Sequence, residues 1–145
     1  MNFDMNNSLG FILNRTALAM KTGFNKQIKE FDISPEQWSL IFRIVENNGL
    51  TQKELASSTY KDQANITRSL DRLEKKGFLT RLSNSKDRRI INIFSTQKAK
   101  ELVEIIVPIS KQYNQLLSTG LSQEEYESLI GLLNKVYTNI EEEGD

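Results

Sequence analysis

Residues 51–95 read TQKELASSTYKDQANITRSLDRLEKKGFLTRLSNSKDRRIINIFS, and the local signal changes repeatedly within them without a spare segment. Thr51-Gln52-Lys53-Glu54 has the form of a capping box, in which the threonine hydroxyl and the glutamate carboxylate each satisfy a backbone N–H at a helix start. The helix it opens is short, carrying Leu55 and Ala56 and ending at Ser57-Ser58-Thr59. Asp62 then stands as the cap of a second helix, whose apolar residues Ile66, Leu70 and Leu73 recur at helical spacing. Gly77 supplies the left-handed residue that closes it. Gln63, Asn65, Thr67, Arg68, Arg72 and Lys75 fall on its exposed face. Residues 78–82 (FLTRL) and 90–94 (IINIF) are rich in strand formers and are separated by the polar SNSKDRR, which predicts an antiparallel hairpin with a cationic tip.

Working outward, residues 34–37 (Ser-Pro-Glu-Gln) announce the preceding helix with a serine cap, a proline at the first helical position and a glutamine placed to close a capping box. Trp38, Ile41, Phe42 and Val45 lie on one of its faces and Leu40 and Ile44 on another, as in a helix packed on two sides, and Asn47-Asn48-Gly49 ends it. Further upstream, Leu9, Ile12, Leu13, Ala17, Met20, Phe24, Ile28 and Phe31 predict one long amphipathic helix over residues 8–31, weakened where Gly10 and Gly23 fall inside it. Downstream, Thr96 caps a long helix with a predicted buried stripe of Leu102, Ile105, Ile106, Ile109, Tyr113, Leu116 and Leu117, and with a kink expected at Pro108. Ser122-Gln123-Glu124-Glu125 opens a last helix on which Tyr126, Leu129, Ile130, Leu133, Val136, Tyr137 and Ile140 are expected to face inward.

The chain has 145 residues, the usual size of one domain, and zero formal net charge, so bulk charge does not point to nucleic acid. The distribution of charge does. Between Thr51 and Ile90 ten Lys and Arg face five Asp and Glu, a local +5 balanced by −5 elsewhere. The sequence contains neither cysteine nor histidine, which removes disulfides, thiol redox sensing, thiolate or imidazole metal sites and every catalytic triad that needs either residue. No spacing proposes an enzyme, and no cofactor is expected. No apolar run approaches the roughly 20 residues of a membrane span, and the start lacks a basic leader, so a cytoplasmic protein with no membrane partner is expected.

A helix, a short helix, a helix opening with polar side chains and a hairpin with a cationic tip make a winged helix-turn-helix. Such a unit reads double-stranded DNA because the major groove admits one α-helix and displays base-edge donors and acceptors that Gln, Asn and Arg match. Gln63, Asn65 and Arg68 occupy the turns that contact bases, while Thr51, Lys61, Thr67 and the tip residues Lys86, Asp87, Arg88 and Arg89 hold phosphates and set register. A tip arginine also fits the minor groove, where negative potential is focused over A·T-rich DNA. Taken singly, each feature has a plainer reading. ITRSLDRLEKKG could be a charged surface helix whose Arg and Lys pair with Asp71 and Glu74, and SKDRR a solvated loop. Their order and spacing favour the DNA reader, with a protein-binding winged-helix module as the alternative.

Residues 50–96 resemble the DNA-binding core of the MarR family of bacterial transcription regulators, through L-T-x-x-E-L-A at Leu50 to Ala56, T-R-x-L-D-R-L-E-K-K-G at Thr67 to Gly77 and D-x-R at Asp87 to Arg89. The resemblance implies a mainly α fold with a small antiparallel β-hairpin: a winged core over residues 34–96, and dimerisation helices in 1–33 and 97–145 of a single domain. It implies a homodimeric repressor on a pseudo-palindromic operator, with Arg89 as the minor-groove arginine and Asp87 as the carboxylate that orients it. It also implies a cleft for small, often aromatic or anionic effectors, which Arg15, Trp38 and Phe42 would line here. The chain departs from the family after the hairpin, where L-T-x-x-G is replaced by Phe94-Ser95-Thr96-Gln97-Lys98-Ala99, leaving the start of the next helix open.

Overall fold

The computed structural model describes residues 2–59 and 63–143, leaving aside the side chains of Gln63, Glu142 and Glu143. The chain divides into two compact units, Met1–Ser110 and Lys111–Asp145. In the first, α1 (Leu9–Ile28) starts at the Ser8 hydroxyl and gives way to a 3-10 turn, Lys29–Phe31, so the helix expected through residue 31 is shorter by that turn. Asp32 follows with φ 56°, the only non-glycine residue at positive φ among the described residues. α2 (Pro35–Glu46) begins at a complete capping box, Gln37 N–H donating to Ser34 Oγ at 3.2 Å and Ser34 N–H to Gln37 Oε1 at 3.1 Å.

α3 (Gln52–Thr59) is set by the Thr51–Glu54 box in the same way, with both bonds at 3.1 Å, and its last turn is closed by Ser58 and Thr59 hydroxyls donating to the Leu55 carbonyl. α4 (Gln63–Lys75) ends where Gly77 N–H donates to the Glu74 carbonyl and Phe78 N–H to that of Leu73. This six-to-one and five-to-two pair needs a left-handed residue, and Gly77 supplies it at φ 87°. β1 (Leu79–Ser83) and β2 (Ile91–Ser95) form the antiparallel hairpin, with Arg81 opposite Ile93. Both strands start one residue later than expected: Phe78 is held in the turn that closes α4, and Ile90 N–H donates to the Asp87 carbonyl within the tip. The segment before α3 lies along the free edge of β2, with Gly49 N–H donating to the Ile93 carbonyl at 2.7 Å and Ile93 N–H to that of Leu50 at 2.9 Å. The hairpin is thereby tied to the helices that precede it.

One apolar cluster organises this unit. Ile28 and Ile33, Leu40, Ile41 and Ile44 of α2, Leu55 of α3, the Ile66–Leu70–Leu73 stripe of α4, Leu79, Ile93 and Ile106 are all buried in it. α5 (Gln97–Leu117) begins at Thr96, whose hydroxyl accepts from Ala99 N–H at 3.3 Å and donates to the Gly77 carbonyl at 2.6 Å. The helix therefore starts cleanly without the family's glycine, and it continues through Pro108 to Leu117. Ala99, Leu102 and Ile106 join the core.

In the second unit, Gly120 at φ 86° closes the turn between helices, and α6 (Gln123–Glu143) opens at a third capping box, Glu125 N–H to Ser122 Oγ at 3.1 Å and Ser122 N–H to Glu125 Oε1 at 2.9 Å. The expected inward stripes are buried only in part: Ile28, Leu102 and Ile106 join the core, but many of the others do not. Leu9 and Met20 of α1, Ile105, Leu116 and Leu117 of α5, and Leu129, Ile130, Tyr137 and Ile140 of α6 are exposed, the last at 66%. Among the described residues no helix is long and apolar enough to cross a membrane.

Candidate nucleic-acid interface

Burial of Ile66, Leu70 and Leu73 fixes the rotation of α4 and leaves Asn65, Arg68, Arg72 and Lys75 outward. Asn65 and Arg68 are hydrogen-bonded to each other, Arg68 Nη2 donating to Asn65 Oδ1. They lie one turn apart on the helix, so this contact holds an amide and a guanidinium together on one exposed surface. With Arg72, Ser69, Ser34, Glu36 and Gln37 they line a cleft of about 360 Å³. Thr67 is less free than a pure phosphate contact would be: its Oγ1 accepts from Gln52 Nε2 at 2.8 Å, which ties α3 to α4. Thr51 caps α3 and bridges to Asn92 of β2, and it shares a cleft of about 560 Å³ with Gln52, Lys53, Arg89, Ile90 and Ile91. Gln63 is the first residue of α4, while Lys61 and the expected cap Asp62 lie outside the described residues.

The hairpin tip is organised by Asn84. Its Oδ1 accepts from Lys86 N–H at 2.9 Å and Asp87 N–H at 3.3 Å, and its own N–H donates to the Ile90 carbonyl at 2.8 Å. An asparagine beginning a polar turn is the sequence signal for this arrangement, and reading the segment only for its charge overlooks it. Asp87 then grips Arg89 bidentately: Nε donates to Oδ1 and Nη2 to Oδ2, each at 3.1 Å, while the Arg89 backbone N–H donates to Oδ1 at 3.0 Å. The side-chain bonds from Arg89, reinforced by the backbone bond, hold the Asp87 carboxyl below the usual carboxylate range, and Arg89 is raised in turn. Arg89 remains 90% exposed, so the pairing aims the guanidinium without covering it. Lys86 and Arg88 stand exposed on either side of Asp87.

Pairing of Asp71 and Glu74 with the cations of their own helix, the plainer reading of that segment, is not what occurs. Both carboxylates bind Arg81 of β1 instead, at 2.5 and 2.9 Å. Each of the three residues expected at an effector cleft has an aromatic contact. Arg15 lies over the ring of Phe11, 5.6 Å from its centroid, while Trp38 packs on Phe42 with centroids 5.6 Å apart and lies against the core.

The model of the MarR family matches residues 33–91, from the residue before the α2 cap to the first residue of β2. An uncharacterised HTH-type transcriptional regulator of Bacillus subtilis, YybA, is 29% identical over 125 residues, covering 86% of this chain and 83% of that protein. The crystal structure of the transcriptional regulator SlyA superposes with a TM-score of 0.83 at 29% identity, over 90% of this chain and 92% of that one. The MepR–DNA complex of S. aureus shares the fold, with a TM-score of 0.85 at 24% identity over 94% and 99% of the two chains.

Proposed function

We propose that this chain is a winged helix-turn-helix transcriptional regulator of the MarR family, working in the cytoplasm as a homodimeric repressor on a pseudo-palindromic operator. DNA-binding transcriptional regulation follows from family and fold together. The observation that carries the finer reading is the pairing of two cationic elements on one scaffold: α4 turns Asn65, Arg68, Arg72 and Lys75 to solvent, and Asp87 aims an almost fully exposed Arg89 from the wing tip.

In this reading, Gln63, Asn65 and Arg68 contact base edges in the major groove, and Arg89 enters the adjacent minor groove. Thr51, Lys61, Thr67, Lys86 and Arg88 contact phosphates. The residues outside 34–96 serve dimerisation, which the exposed apolar positions of α1, α5 and α6 support. Two recognition helices related by a two-fold axis then meet successive major grooves about 34–36 Å apart. A small aromatic or anionic effector, with Arg15 and the tilted Trp38–Phe42 pair as its candidate contacts, belongs to the same reading.

Selecting bound sequences from a random duplex pool at stated salt tests the proposal. The expected product is an inverted repeat whose half-sites lie about one helical turn apart, with affinity falling steeply as salt rises. An unpaired or directly repeated site would exclude the two-fold dimer. Affinity independent of salt would favour the protein-binding alternative.

A further inference from the structure

Ten basic residues lie between Thr51 and Ile90, and charge alone would assign every one of them to the polyanion. Arg81 does not fit that assignment. Its side chain is only 20% exposed, and its guanidinium is turned onto α4: Nε and Nη2 donate to Glu74 Oε1 at 3.2 and 2.9 Å, and Nη2 also to Asp71 Oδ1 at 2.5 Å. The Arg81 backbone N–H donates to Glu74 Oε2 at 3.0 Å, so one carboxylate grips both the side chain and the main chain of a residue in β1. Burial opposes the charged guanidinium, but the bonds to Glu74 and Asp71 more than offset it and raise its affinity for the proton.

Among the described residues the reading helix and the wing are hydrogen-bonded at two places, of which this clamp is the second. The first is the turn at Gly77, where the backbone bonds Gly77 N–H to Glu74 and Phe78 N–H to Leu73 close α4. The base of the hairpin is also held by Gly49 and Leu50 along β2 and by Leu79 and Ile93 in the core, and the charged, multiply bonded contact adds a direct link from α4 to the middle of β1. The same contact has an electrostatic consequence, because Asp71 is within helical reach of both Arg68 and Lys75. With Asp71 and Glu74 drawn to Arg81, Arg72 and Lys75 form no ion pair among the described residues.

We propose that Arg81 is a positioning residue for DNA recognition: by clamping β1 to Asp71 and Glu74 it holds the wing arginine Arg89 and the α4 side chains Asn65 and Arg68 in one register, and it leaves Arg72 and Lys75 open to phosphate. This rests on the assignment of α4 and the wing to DNA. Arg81 itself touches no phosphate.

The test is a double-mutant cycle on a selected operator, using the full-length parent, Arg89→Ala, Arg81→Met and the combined variant, with Glu74→Gln as a second route to the same broken clamp. In the parent background Arg89→Ala should weaken binding about tenfold, whereas with Arg81→Met already present it should cost less than about twofold, because a wing out of register has little left to lose. Glu74→Gln removes a negative charge from the DNA-facing unit, so charge alone predicts tighter binding; the clamp predicts weaker binding and the same loss of sensitivity to Arg89→Ala. Arg81→Lys should recover part of that sensitivity. The proposal is overturned if the Arg89→Ala loss is equal in both backgrounds, or if Glu74→Gln binds more tightly than the parent. Should Arg81→Met lose its helical circular dichroism, Glu74→Gln decides alone. A parent without salt-steep operator binding would instead overturn the DNA assignment together with the clamp.

Discussion

Asp87 and Arg89 form the most exposed charged pair in the wing, and the direction of their shifts determines how it responds to pH. The Asp87 carboxyl is lowered by the bonds it accepts from Arg89, so the pairing is fully present above the ordinary carboxylate range, near pH 4, and is lost only as pH falls through the lowered value. No histidine exists to titrate nearer neutrality. At neutral pH, Asp87→Asn mimics the protonated state: it removes the aim of Arg89 while also removing a negative charge. Preference for A·T-flanked over G·C-flanked operators should fall by about tenfold, with the melting temperature unchanged, when both operator types are titrated in parallel. Unchanged flank preference would mean that the carboxylate does not aim the arginine. Two glycines carry the other sharp residue-level expectation. Gly77 and Gly49 both sit at positive φ, but a Cβ on Gly77 meets only Lys98 Cδ at 3.7 Å, while one on Gly49 meets Phe94 Cε1 at 3.3 Å. Gly77→Ala should cost about 1–2 kcal/mol from backbone strain, and Gly49→Ala more, in urea unfolding.

At the scale of elements, the sequence was most legible where a side chain bonds to its own neighbourhood. The capping boxes at Ser34, Thr51 and Ser122 name their helix starts outright, because both bonds of each box lie within four consecutive residues. The α4 stripe was legible for a similar reason, since Ile66, Leu70 and Leu73 all face one core. The strands were offset by one residue because Phe78 has strand character and yet completes the turn that closes α4, a bond reaching back to Leu73. The Arg81 clamp was hidden further still, because it joins residues on different elements and helical spacing offered Asp71 and Glu74 nearer partners. Thr96 combines both kinds of contact: it caps α5 locally and bonds the Gly77 carbonyl from a distance. Thr96→Ala should therefore destabilise the chain by about 1–2 kcal/mol, the range of a lost cap, with the m-value unchanged. A loss below about 0.3 kcal/mol would show that the family's absent glycine is replaced by something other than this hydroxyl.

For the whole molecule, the exposed apolar residues are the largest departure from a self-contained chain. Leu116 is 63% exposed, Leu129 and Ile130 are each 44% exposed and Ile140 is 66% exposed. Periodicity identified these positions as apolar but could not say what covers them, because a stripe buried by a partner and one buried by the same chain have the same spacing. Left in water, so many large side chains along the terminal helices would favour association, and apolar patches of this kind mark interaction surfaces. The proposed homodimer would cover them, and joining two readers would raise affinity for a paired operator by roughly 10²–10⁴ over one half-site. Light scattering on the parent should therefore give about twice the 16.7 kDa chain mass. Ile130→Glu, alone or with Leu116→Glu, should shift the mass towards one chain and weaken operator binding at least a hundredfold. Half-site binding should survive, because neither residue lies in α4 or the wing. A parent that runs as a single chain at micromolar concentration, or an Ile130→Glu, Leu116→Glu variant that remains dimeric, would place the interface elsewhere and leave those exposed side chains without the partner proposed for them.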